Sequence, residues 1–173
     1  LAEKNSHLRY TTIQNWSTNV YNLVTKRAFA YENALVEWVD GNIGSGINMK
    51  YPSVYLKGKN ARAEFLSVAY AGKGQYQDAG ARAIHEAEGT TSVINSRNIA
   101  KNGGVTSFRG TVRLSENAKN AKSSVKCDAL LLDAVSRNIT RPLLQTSQEH
   151  STIAHEAKVG KISEEQVFYL MSR

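Results

Sequence analysis

Along most of this chain apolar and polar residues alternate with a period of two, the pattern of strands that bury one face. Ala34, Val36 and Trp38 share one face of the stretch 34–40, and Ala61, Ala63, Phe65 and Ala69 share one face of 61–69. The stretch 104–114 is rich in β-branched residues, which favour strands. The stretch 123–132 alternates through Val125, Cys127 and Ala129 and ends fully apolar at Leu130-Leu131-Leu132. Short polar turns carrying Gly or Asn separate these stretches, at 40–42, 57–60, 88–90, 101–104 and 116–120. Many short strands with frequent turns predict an all-β chain. The pattern alone leaves sandwich, barrel and β-solenoid open, because turns recur roughly every 10–30 residues and no crisp sequence repeat stands out. Ile84-His85-Glu86-Ala87 is echoed by Ala154-His155-Glu156-Ala157, a match too short to define a repeat.

The two ends differ from the middle. The stretch from Tyr10 to Arg27 fits a helical face through Val20, Leu23 and Val24, and equally a strand through Tyr21, Leu23 and Thr25. Near the other end, Ser163-Glu164-Glu165-Gln166 is a capping box followed by Val167, Leu170 and Met171 at helical spacing, which predicts a helix from about Ser163. The expected organisation is therefore a β domain over 1–160 and the start of a helical segment over 161–173.

Composition narrows the function classes. A length of 173 residues suits one domain with a sizeable core. No apolar run approaches the roughly 18 residues of a membrane helix. Leu1 stands where an initiator Met is absent, with no signal-peptide pattern, which reads as the start of an internal fragment. The net charge of +7 comes from dispersed Lys and Arg with only Lys26-Arg27 adjacent, so no nucleic-acid partner is expected. A single cysteine, Cys127, fits a reducing compartment and cannot by itself supply a four-cysteine metal site.

Several chemistries lack their motifs. No phosphate-binding loop ending in Gly-Lys-Ser/Thr is present, so ATP hydrolysis is not expected of this chain, and the glycines of 41–46 read as a loop. His155-Glu156 is half of a zinc-protease motif, but Val159 stands where the second His belongs; at His85-Glu86 that place is Gly89. Acidic residues are dispersed, unlike the paired carboxylates of a carbohydrate-cleaving β-helix.

Three stretches in one order carry a resemblance. They are Tyr10–Trp16 with Val24–Ala28; Glu37–Ser45 with Met49–Ser53; and Cys127-Asp128 with Leu130–Asp133, His155–Ala157 and Ile162–Arg173. Ala71-Gly72-Lys73-Gly74-Gln75 and Gln77–Ala81 lie between them and match as well. Together they resemble the SufB/SufD family of iron–sulfur assembly proteins over nearly the whole chain. Cys127 and His155-Glu156 are similar to the SufB branch, since SufD-like members typically have His-Gly at the latter position and lack the cysteine.

The resemblance implies a right-handed parallel β-helix with a short C-terminal helix, and it favours strands over Tyr10 to Arg27. It implies a non-enzymatic scaffold in which Cys127, His155 and Glu156 serve nascent cluster formation and stand as tentative metal ligands. Gln14, Trp16 and Lys26 would line a path moving sulfur through the interior. The implied cargo is a nascent, transient iron–sulfur cluster. Implied partners are the SufC ATPase, SufD or a second SufB copy, and a sulfur donor such as a cysteine desulfurase with SufE or SufU. SufC would dock on the helical segment begun at Ser163. The setting would be cytoplasm or plastid stroma. A structural, SufD-like partner without its own cluster is the alternative.

Read from pattern alone, the same residues are ordinary. Cys127 is a small core residue, His155 a core histidine on the face of Ile153 and Ala157, and Glu156 a surface carboxylate on the other face. If His155 and Glu156 act on one cluster, a bulge or a subunit interface must bring them together. Trp16 reads as packing and Lys26 as a surface charge. His7, His85 and His150 match no motif.

Overall fold

The computed structural model describes residues 1–162 and 164–172. Alternation has produced strands throughout, and every pairing between strands is parallel. One sheet stacks β1 (His7–Gln14), β3 (Leu35–Asn42), β5 (Arg62–Ala71), β7 (Thr91–Ala100), β9 (Lys122–Leu131) and β12 (Thr152–Lys161). The facing sheet stacks β2 (Tyr21–Ala30), β4 (Ile47–Leu56), β6 (Tyr76–His85), β8 (Val105–Leu114) and β10 (Arg137–Thr140), with β11 (Leu143–Thr146) also on β8. Each turn of chain places one strand in each sheet, so the molecule is a β-solenoid. Tyr10 to Arg27 falls in β1 and β2, as strands. The helix α1 spans Glu164–Met171. The cap expected at Ser163, and the apolar face expected through Val167 and Leu170, lie outside the described positions.

A repeat does exist, and it sits in the corners. The paired positions His7, Leu35, Arg62, Thr91, Lys122 and Thr152 recur every 27 to 31 residues. Before these strands come Lys4-Asn5, Glu32-Asn33, Lys59-Asn60, Glu88-Gly89 and Lys119-Asn120. Asn5, Asn33, Asn60, Gly89 and Asn120 all have positive φ, between 57° and 70° but for 55° at Asn33, a conformation that Asn and Gly tolerate. Charge alternates up the stack, and Lys4 pairs with Glu32 at 2.9 Å and Lys59 with Glu88 at 3.1 Å. The His85/His155 echo is no repeat: His85 ends β6 in one sheet, and His155 lies inside β12 in the other.

Inward residues divide the interior in two. One side is apolar, with Val36, Ala63, Val54, Leu56, Val112 and Leu114 at 1% exposure or less. Trp38, Phe65 and Val125 also face inward, as their alternation predicts. The other side is polar and holds Asn42, Asn48, Gln77, Asn98 and Thr106 at 3% exposure or less. Among the described residues no helix is long and apolar enough to cross a membrane.

Candidate functional site

Two clusters matter, one at each end of the stack. At the first, β1 and β2 converge on a cavity of about 470 Å³ lined by Gln14, Trp16 and Lys26 together with Thr12, Asn22 and Lys50. The structure thus brings the three residues expected on the sulfur path around one space. Gln14 is buried and donates to the Ser45 hydroxyl, leaving its Oε1 without a partner. Trp16 lies in the turn after β1 and is 59% exposed. Its carbonyl accepts from the Ser45 amide at 2.8 Å. Gly44 is required there, because a Cβ would come within 2.3 Å of the Trp16 backbone. Lys26 donates to the Tyr10 hydroxyl at 3.0 Å and sits 4.4 Å from that ring's centre, a cation–π contact.

The second cluster is divided. Cys127 is inward on β9 and 2% exposed. Burial, helped by the nearby Asp128 charge, pushes its thiol up to about 12. His155 faces the same side of the sheet, in register with Val125, and Ala157 stacks on Cys127. His155 is exposed because β12 is the last strand of its sheet. The pairing of β12 with β9 is unbroken over ten residues, so no bulge turns Glu156 round. Glu156 projects from the opposite face, 2.7 Å from Lys158 and 3.7 Å from Lys126. The Lys158 contact leads in holding its carboxyl below the usual range. Within one chain, then, Cys127, His155 and Glu156 do not converge, and the described residues hold no cluster of three or more potential metal ligands.

Register connects the two ends. Thr12, Asp40, Ser67, Ser96, Cys127 and Ala157 form one inward column, each stacked on the next. Beside it run Asn22, Asn48, Gln77, Thr106 and Asn138 on the facing sheet. Buried polar atoms along this lane lack protein partners, including both amide atoms of Asn42, Gln77 Oε1, Ser96 Oγ and Asn98 Oδ1. Buried polar groups seek hydrogen bonds, so a lane of this kind suits water or a passing polar ligand. Sequence reasoning alone does not single out Lys50 or Asp40. The signal was available, since Asp40 continues the inward parity of Val36 and Trp38.

The fold and site together define a parallel β-solenoid with a polar interior lane and a single buried cysteine, Cys127. The profile described as "SUF system FeS cluster assembly, SufBD core domain" matches residues 1–173. The chain is 54% identical over all its residues to an iron–sulfur cluster assembly SufBD family protein of Staphylococcus aureus, and equally to one of Staphylococcus haemolyticus. It therefore belongs to the SufBD family of iron–sulfur cluster assembly proteins. It spans 37% of the length of those relatives.

Proposed function

We propose that this domain is the core of a SufB-type scaffold, on which sulfur and iron are joined into a nascent cluster. The carrying observation is the inward column from Thr12 to Cys127, which links the cavity of Gln14, Trp16 and Lys26 to the chain's one thiol. Thiolate is a soft ligand for iron and an acceptor for sulfur, and hydroxyl is neither. His155 adds an imidazole on the same face. Glu156 joins them only across an interface, and β12 offers one: its outer edge carries unpaired backbone groups that a second strand can pair with. A SufD chain or a second SufB chain is the proposed occupant. Sulfur would come from a cysteine desulfurase with SufE or SufU.

The domain is proposed to be non-catalytic, with ATP hydrolysis left to SufC. Cys127 as it stands is a closed, protonated thiol, so the ATPase cycle of SufC is the proposed means of opening it. SufC docking is assigned to the segment begun by α1, where Phe168 and Met171 are more than three-quarters exposed. Cytoplasm or plastid stroma supplies the reducing setting. Burial of Cys127 favours the second reading, a SufD-like structural partner with no cluster of its own.

Cys127→Ser separates the two. The change is nearly isosteric and should cost about 1–3 kcal/mol if the hydroxyl stays unpaired, too little to unfold a domain of this size. In the full-length protein the variant should assemble with its partners, keep its circular dichroism and fail to form a cluster during anaerobic reconstitution with iron and sulfide. Normal cluster formation by the complex that carries the variant leaves the structural reading, with the cluster held by a partner chain.

A further inference from the structure

Lys50 and Asp40 form an ion pair inside the solenoid. The side chains are each 4% exposed, and Lys50 Nζ lies 2.6 Å from Asp40 Oδ1. Thr12 closes the group: Lys50 donates to its hydroxyl at 2.6 Å, and that hydroxyl donates to Asp40 Oδ1. Burying two charges rarely adds net stability, since desolvation offsets their attraction and an apolar pair of equal volume does as well or better. Position gives the pair its interest. On one side Lys50 and Thr12 line the cavity of about 470 Å³. On the other, Asp40 borders a void of about 10 Å³ shared with Ser67, Phe65, Ala81, Ile94 and Phe108, close to the space one water needs. The pair therefore lies between the open cavity and the inner void, at the foot of the column of stacked residues that runs to Cys127.

Charge identifies the ligand. Two ammonium groups, Lys26 and Lys50, line the cavity. Asp40 is the carboxylate that answers Lys50, while Lys26 meets only the neutral hydroxyl and ring of Tyr10. Lys26 is left without an anionic partner in a concave space beside Lys50, and that imbalance attracts a single monovalent anion. We infer that Lys26 and Lys50 bind one small monoanion of the hydropolysulfide class, and that the Lys50–Asp40 pair gates its passage into the interior. The anion replaces Asp40 as the partner of Lys50, which opens the gate. This rests on the sulfur-receiving role proposed for the domain. A hydropolysulfide needs no added oxidant to charge Cys127: the thiol takes one sulfane sulfur to become a persulfide, and the anion leaves shorter by one sulfur with its charge unchanged.

Bromide, a soft monoanion, tests the site without any sulfur chemistry. Crystals of the full-length protein in its complex, soaked in bromide, should show an anomalous peak within hydrogen-bonding reach of both Lys26 and Lys50. The peak should strengthen at least twofold in Asp40→Asn and vanish in Lys50→Met. Absence from the native crystals, or persistence in Lys50→Met, overturns the site. The second arm follows persulfide on Cys127 by mass spectrometry after exposure to inorganic polysulfide. The double variant Lys50→Met/Asp40→Asn leaves no unpaired buried charge and should fold; it should charge Cys127 at least tenfold more slowly. An unchanged or faster rate overturns the proposal, because it would show that entry does not need the anion site the pair helps to form. Bromide binding together with cluster formation by Cys127→Ser would keep the site and sink the scaffold reading. A cluster-dead Cys127→Ser without bromide binding would do the reverse.

Discussion

His85 has both ring nitrogens committed inside the solenoid. The Thr90 hydroxyl donates to the Ala87 carbonyl, so it accepts from Nδ1 at 2.9 Å, and Nε2 accepts from Ser92 at 2.9 Å. Ser123 in turn lies 2.8 Å from Ser92. Every donor is used on a neutral ring, and burial pushes the pKa down to about 4, against a smaller opposing effect of Thr90. The unfolded chain binds this proton at ordinary histidine pH, so folding stability is full above about pH 6.5. It falls as pH drops from there towards 4, by about 3 kcal/mol over the window. Urea unfolding across that range checks the slope, and His85→Gln should flatten it. Cys127 obeys the same burial in the opposite direction. With its thiol near 12, iodoacetamide at pH 8 should modify the native domain at least about a hundredfold more slowly than the unfolded chain. Comparable rates would mean the thiol is already open. Of these residues the sequence showed Cys127 as inward through its neighbours Val125 and Ala129, whereas His85 matched no motif, because only the folding of the corner after β6 turns the Thr90 and Ser92 hydroxyls onto its ring.

At the scale of elements, the corners set the stacking. Asn60 holds φ at 58° and donates its side-chain amide to Asn33 in the turn below at 3.4 Å. An alanine there meets the left-handed penalty and loses the amide, so Asn60→Ala should cost about 1–2 kcal/mol, while Asn60→Gly should cost less than half of that. Chemical denaturation of the two variants decides it; equal losses would show that conformation is not what selects Asn. The corner repeat escapes a reading of apolar periodicity because its signal is polar and one or two residues long in about every thirty. The strands themselves were legible, down to the inward face of Val36, Trp38, Phe65 and Val125. The last strand shows where alternation misleads. His155 has the parity of a core residue, yet among the described residues no strand covers the outer edge of β12, so parity there predicts a side and not burial.

For the whole molecule, each turn contacts mainly the turns before and after it, so stability is close to a sum of neighbour terms. Hydrogen exchange should be slowest in β5 to β8 and faster in β1 and β12, which have a neighbour on one side only. A partner seated on β12 should slow exchange in β12 alone, and uniform protection of the isolated chain would contradict the additive picture. The sequence by itself determined the β class, the faces of the strands and the family, because alternation and motif order are properties of a few neighbouring residues. It also named Gln14, Trp16 and Lys26 without showing that they share one cavity. Only the tertiary structure decided the register, and register decides the site. Stacking at intervals of 27 to 31 residues places Thr12, Asp40, Ser67, Ser96 and Cys127 in one column. The same stacking faces Lys50 with Asp40 and turns Glu156 away from Cys127. Such contacts join residues far apart in the chain, and their geometry follows from the pitch of the solenoid, which no local pattern records.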